Sequence, residues 1–326
     1  MKLSVAMCTY NGARFIEEQL QSILDQELPV NEIVVCDDGS KDETLTIVQK
    51  IAKDYPNVEW NIQQNSPNLG VTKNFEKAIS LCTGDIVFLS DQDDIWRKDK
   101  TRVVNKYFET HPDKSVVFTN ADIVDSFGSL LTEYSLFDAY GLSQNSELWE
   151  NGLDFEILSV ANRATGATMA FLNKFRSSFL PFFQKKGYLH DYQIVLTASA
   201  CECIGVIQER LISYRQHGNN CVGLTMDNWV YSGIMPSNYN DYLAEPLFPN
   251  HPLNVNTERM CFSMKRGKIC STFVGKLLSP IFLIRYKKYY HKYWLILFWA
   301  DFLYGVNSSA RKKIAKKIKF FVNSSR

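Results

Sequence analysis

The chain is expected to fold as an α/β protein, a doubly wound and mostly parallel sheet flanked by helices. Three observations predict it. Apolar runs of strand length alternate with segments of helical periodicity through the first 120 residues. Strand-like runs end in clusters of acids and amides. The composition, 45% hydrophobic, 13% aromatic and 22% charged over 326 residues, is that of a core-forming globular chain.

The elements follow in order. Leu3 to Thr9 reads as a strand, and Ile16, Leu20, Ile23 and Leu24 then recur at helical spacing. Glu32 to Cys36 is a buried-type strand. Ser40 with Glu43 three residues on predicts a capping box for a helix with the apolar face Ile47, Val48 and Ile51. Val58 to Ile62 is strand-like, Phe75, Ala78, Ile79 and Cys82 mark the next helix, and Asp85 to Leu89 returns as a strand. Right-handed crossovers then build the sheet with helices on both faces. Beyond residue 115 the expected strands are Val116 to Thr119, Ala167 to Phe171, Cys203 to Ile207 and Leu211 to Tyr214, with a helix over Tyr192 to Ala200; residues 127 to 160 read as loop with short helices.

Charge divides the chain. The formal net charge is +1, yet residues 265–326 hold 15 Lys and Arg against the single acid Asp301, so the preceding body is strongly acidic. A basic end on an acidic body predicts an anionic surface contacted by that end alone. The eight cysteines are scattered without a C-x-x-C pair, which predicts reduced, buried thiols inside a cell and argues against structural zinc. The opening residues run into strand-like sequence with no leader-like pattern. The longest apolar stretch, Tyr293 to Val306, is broken by Asp301 and falls short of the roughly 20 residues a spanning helix needs.

In open α/β sheets ligands bind beyond the carboxyl ends of strands. Three such ends carry polar residues here: Thr9-Tyr10-Asn11-Gly12, Asp37-Asp38-Gly39-Ser40 and Ser90-Asp91-Gln92-Asp93-Asp94. Neither G-x-G-x-x-G nor G-x-x-x-x-G-K-[ST] occurs, against dinucleotide and P-loop binding. Three carboxylates among Asp91 to Asp94 repel one another unless a cation sits among them, and an all-oxygen set favours Mg²⁺ or Mn²⁺; an acidic turn capping the helix that starts near Lys98 is the other reading. Of Asp37 and Asp38, one is expected at a buried edge and one in the cleft, able to accept from the N3–H of uracil or thymine, unless both only shape an Asx turn. Asp191 opens a helix and is either its cap or the carboxylate base that deprotonates an acceptor hydroxyl. After the last strand, His217 is a candidate metal ligand and Arg215 a candidate diphosphate partner, or the segment is a structural turn.

Thr9 to Gly12, Val35 to Ser40, Asn68-Leu69-Gly70 with Asn74, Gly84-Asp85, Ser90 to Trp96 and His190-Asp191, in this order over residues 1 to 220, resemble family-two glycosyltransferases. Ser90 to Trp96 together with Tyr214 to Asn220 is most similar to the bacterial rhamnosyltransferase branch. The resemblance implies a GT-A fold, a nucleotide-diphosphate sugar donor and an inverting transfer. It implies that Asp38 contacts the pyrimidine, Thr9 and Asn11 line the nucleotide pocket, Asp91 reaches the ribose or metal, Asp93 binds the metal and Asp191 is the base. His190 departs from the family pattern, which often has an acid before that aspartate.

The expected organisation is a catalytic domain over residues 1–222, an irregular, proline-bearing acceptor-side segment over 223–264, and a basic, aromatic helical extension over 265–326. In the extension, Ile314, Ile318, Phe321 and Val322 form an apolar stripe opposite Arg311, Lys312, Lys313, Lys316, Lys317 and Lys319, the pattern of a helix lying on an anionic membrane. The expected function is transfer of a sugar, L-rhamnose from dTDP-rhamnose first and a UDP-hexose second, to a lipid-linked glycan of a cell-surface polysaccharide such as capsule, at the inner face of the cell membrane. The expected cofactor is Mg²⁺ or Mn²⁺, and no nucleic-acid motif accompanies the charge. A nucleotidyltransferase is disfavoured by the sparse loop after the first strand, and a non-catalytic membrane-associated scaffold leaves the acid clusters without a role.

Overall fold

The computed structural model describes residues 1–140, 142–143, 154, 158, 162–182, 189–218 and 224. The described elements lie in one compact unit formed by Met1–Asp154 and Asn162–Leu247. The segments 223–264 and 265–326 and their expected roles fall outside the described residues, Leu224 excepted.

The elements are β1 (Leu3–Thr9), α1 (Ile16–Leu24), β2 (Glu32–Asp37), α2 (Thr44–Asp54), β3 (Glu59–Gln64), α3 (Val71–Leu81), β4 (Ile86–Ser90), β5 (Ile95–Trp96), α4 (Lys100–Thr110), β6 (Val116–Val124), α5 (Leu136–Ala139), β7 (Met169–Leu172), α6 (His190–Ala200) and β8 (Ile204–Arg215). They build a sheet of eight strands in the order β3-β2-β1-β4-β7-β6-β8-β5. Its first half, β3-β2-β1-β4, is wholly parallel, as the alternating pattern predicts. β7 runs antiparallel between β4 and β6, β8 pairs parallel to β6, and β5 closes the far edge antiparallel to β8.

β1 and β2 are buried along their whole length, which is why they read as continuous apolar runs rather than alternating ones. One core cluster joins Val5, Met7, Ile33, Val35 and Phe88 of the strands to Ile16, Leu20 and Val48 of the helices. The register sets Thr9 opposite Asp37 and Met7 opposite Ser90. The chain winds from β1 outward to β3, then returns to place β4 on the other side of β1. The residues after β1, β2 and β4 therefore meet at a topological switch point, where crossovers diverge and leave a crevice.

Three local expectations change. Ser40 and Glu43 form no capping box: α2 starts at Thr44 with no side-chain cap at Glu43. The Ser40 hydroxyl is drawn to Asp37 instead, and the Asp42 carboxylate accepts from the Thr44 N–H. The two short strands expected over 203–214 are one strand of 12 residues, because register shifts around Asn120 in the partner β6 absorb the polar interruption Gln208-Glu209-Arg210. β5 lies within a stretch that the sequence marks only by its acids. Among the described residues no helix is long and apolar enough to cross a membrane.

Candidate active site

Beyond β2, the two adjacent aspartates separate by role. Asp37 is fully buried; its carboxylate accepts from the Thr9 hydroxyl at 2.9 Å and from the Ser40 N–H at 2.8 Å. Asp38 lines a cavity of about 410 Å³. It accepts from the Leu69 N–H at 2.7 Å, the Asn65 amide at 2.9 Å and the Gly70 N–H at 2.8 Å. Gly70 holds φ 79° just before α3, a backbone that favours glycine. The Asn65 amide also donates to Asn74 at 2.7 Å, and Asn74 donates to the Cys36 carbonyl at 2.7 Å, so the end of β2 is bolted to α3. The Asn68-Leu69-Gly70 motif with Asn74 thus acts by fixing the Asp38 carboxylate.

Thr9 lines the same cavity, with its hydroxyl turned to Asp37. Asn11 does not line it. Its side-chain oxygen accepts from the Lys41 N–H and its own N–H donates to Ser40, both at 2.8 Å, so it joins the loops after β1 and β2.

The acidic run after β4 does not converge as three ligands. Asp91 and Asp93 line the cavity; Asp94 is buried away from that lining and accepts from the Arg215 N–H at 3.0 Å. Burial, reinforced by the negative charges of Asp93 and Asp91, pushes the Asp94 carboxyl well above the usual carboxylate range. The expected three-carboxylate cluster is therefore reduced to two, because the chain turns into β5 and carries the third acid beneath β8. Gln92, between the pair, grips the Tyr10 backbone through both its N–H at 2.8 Å and its carbonyl at 3.0 Å.

β8 delivers two groups to this loop. His217 Nε2 lies 2.8 Å from Asp93 Oδ2, with its ring stacked on Phe15 at 4.7 Å. Arg215 is 1% exposed, and its guanidinium donates to the Asp93 carbonyl at 2.6 Å, to Glu18 at 2.6 Å and to the Asp125 carbonyl at 3.3 Å. It is not a lining residue of the cavity. The diphosphate role expected of Arg215 is replaced by one of holding the Asp93 loop in place.

Asp191 sits in the first turn of α6, lines the same cavity, and accepts from the Tyr192 N–H at 2.6 Å. Burial raises its carboxyl from 3.8 to about 6, a rise that the N–H groups of Tyr192 and Gly166 and the Asn162 side chain limit. Asp91 is raised as well, first by burial and then by the charges of Asp93 and Asp191. His190, a lining residue that the sequence reading noted only as a departure, stacks on Phe75 with ring centroids 3.9 Å apart.

The electrostatic balance of the cavity is one-sided. Its described lining holds the carboxylates Asp38, Asp91, Asp93 and Asp191 and neither a lysine nor an arginine. No group of three His, Cys, Asp or Glu side chains is arranged to hold a metal among the described residues. A pair of carboxylates does suit Mg²⁺ or Mn²⁺ when substrate phosphates complete the shell. The Asp93–His217 spacing is also close to the roughly 3 Å edge of an octahedral shell with bonds of about 2.1 Å. The residues present fit a divalent ion bound together with a diphosphate.

A sheet that is parallel over β3-β2-β1-β4, with an acid-lined crevice at its switch point, is the architecture shared with solved GT-A structures. Residues 4–164 match the model of glycosyl transferase family 2. An uncharacterized glycosyltransferase of Haemophilus influenzae is 27% identical over 224 residues, covering 67% of this chain and 66% of that protein. The dTDP-rhamnosyl transferase RfbG of Shigella flexneri is 40% identical over 99 residues, 29% of this chain and 34% of that one. The match thus spans just under two thirds of the first relative and about a third of the second. Among solved structures, S. aureus TarS 1-349 in complex with UDP-GlcNAc superposes with a TM-score of 0.54 at 18% identity, covering 84% of this chain and 73% of that one. That likeness establishes the shared fold.

Proposed function

We propose that this protein transfers a sugar from a nucleoside diphosphate donor to a hydroxyl of a glycan acceptor, with inversion at the anomeric carbon. The observation that carries the reading is the cavity itself: the four carboxylates Asp38, Asp91, Asp93 and Asp191, and neither a lysine nor an arginine, among its described lining. Such a pocket repels a bare diphosphate and accepts one accompanied by a divalent ion.

Asp91 and Asp93 would hold that ion, and His217 would share it or orient Asp93. An ion held there would supply positive charge against the diphosphate as it departs. Asp38, with both oxygens already oriented by backbone N–H groups, is suited to accept from a base N–H. Asp191 takes the proton of the acceptor hydroxyl as that oxygen attacks C1 and the C1–O bond to phosphate breaks. The buried carboxylate ionises near pH 6, so it is a competent base at neutral pH. A single displacement from the opposite face inverts the configuration.

RfbG supports dTDP-rhamnose as the donor, and TarS makes UDP-N-acetylglucosamine the comparison to run. The basic, aromatic residues 265–326 support a lipid-linked acceptor and attachment to the inner face of the cell membrane. A donor-hydrolysis panel tests the reading: dTDP-rhamnose, UDP-glucose, UDP-galactose and UDP-N-acetylhexosamines, each with Mn²⁺ and with EDTA. Manganese-dependent release of dTDP from the first is expected. Turnover that EDTA leaves unchanged refutes the metal, and no nucleotide release from any donor refutes the transferase.

A further inference from the structure

His190 is 4% exposed, lines the cavity beside Asp191, and neither of its ring nitrogens has a hydrogen-bond partner. Leaving buried polar atoms unpaired is costly, and a phenylalanine would fill the same place on Phe75 without that cost. The backbone is shaped to admit the ring: a Cβ on Gly166 would stand 2.7 Å from His190 Nε2. Burial lowers the imidazole to about 3, so at neutral pH it is uncharged, with one nitrogen a donor and the other an acceptor. That pair matches a sugar hydroxyl, which both gives and takes a hydrogen bond.

Its place along the cavity says which sugar. α3 starts directly after Gly70, whose N–H is on Asp38, and Phe75 of the same helix stacks on His190. The ring therefore packs on the helix that begins at the Asp38 anchor, and it directly precedes Asp191, beside which the transferred sugar of a donor bound as proposed above must lie. We propose that His190 is a specificity-determining contact for that sugar, exchanging hydrogen bonds with its hydroxyls and selecting a neutral hexose. The sealed nitrogens find their partners as the entering sugar parts the ring from the Gly166 wall. With no lysine or arginine in the described lining, a uronic acid has nothing to neutralise it.

The inference rests on the donor-binding reading, and the test separates the two. Affinities of dTDP, dTDP-rhamnose, UDP and UDP-glucose are measured with Mn²⁺ by calorimetry for the wild type, His190→Phe and His190→Gln, alongside melting temperature. His190→Phe is expected to melt about 2–4 °C higher. It should bind the bare nucleotides within twofold of wild type, and the preferred sugar nucleotide about 10-fold more weakly. His190→Gln should recover at least part of that loss. A phenylalanine variant that binds nucleotide and sugar nucleotide in the wild-type ratio, or melts below wild type, overturns the assignment of His190 alone. A wild-type protein that binds none of the four overturns the donor reading and this one with it.

Discussion

Replacing Asp191 by asparagine should make the protein more stable and nearly inactive, with both effects set by the same buried charge. In the folded chain the carboxyl is raised from 3.8 to about 6, chiefly by burial. At 1.36 kcal/mol per unit that difference is about 3 kcal/mol. The sign follows from proton linkage: the folded state holds its proton more tightly than the unfolded one, so stability is present at low pH and is lost as pH rises from about 4 to about 6. Above that window the ionised carboxylate costs its full amount, and asparagine removes it. The variant also gives up part of an acceptor set that includes the Tyr192 N–H, at about 1 kcal/mol, and this loss is the same at every pH. The advantage of Asp191→Asn over wild type should therefore grow by about 2–3 kcal/mol between pH 4 and pH 8. Urea unfolding of both proteins in EDTA across that range measures it. Donor turnover in Mn²⁺ should fall by about 10²–10⁴-fold, the usual worth of a general base. An advantage that stays flat with pH, or a variant that keeps more than a tenth of wild-type turnover, refutes the reasoning.

The remaining predictions concern the groups around that carboxylate. His217→Ala removes the ring 2.8 Å from Asp93 and should raise the Mn²⁺ needed for half-maximal activity by about 10–100-fold, with activity returning at high metal; an unchanged metal titration contradicts it. Asp38→Asn sets an amide against the N–H groups of Leu69 and Gly70, so it should cost about 1–3 kcal/mol of stability and weaken nucleotide binding; a urea midpoint equal to wild type would falsify this. In Gly12→Ala the new Cβ would stand 2.1 Å from the Gln92 amide oxygen, displacing the side chain that grips Tyr10 between Asp91 and Asp93. The donor KM should rise several-fold while the fold persists, which circular dichroism and initial rates read together.

Some of this was legible in the residues alone. Strands with unbroken apolar centres, such as Val5 to Cys8 and Ile33 to Cys36, are buried on both faces, and helical spacing between them admits few arrangements other than a parallel sheet. Polar residues directly after such strands must lie at the sheet's carboxyl edge, so Asp38, Asp91 and Asp93 could be assigned to one rim from their positions. Local pattern carries that information because strand direction and register follow from it.

What the pattern could not contain is which neighbour each side chain meets across the sheet. Asp37 and Asp38 are adjacent, yet one turns to Thr9 and Ser40 and the other to a loop some 30 residues on. Asp94 leaves the acidic cluster because β8, more than 100 residues later, offers the Arg215 N–H, and Arg215 leaves the diphosphate because Glu18 and two carbonyls claim it. His190 gains its significance only from Phe75, Gly166 and the want of a polar partner. Hydrogen bonding and desolvation depend on contacts between distant segments, so the chain specifies which groups stand at the rim, and packing alone decides which of them remain available to chemistry.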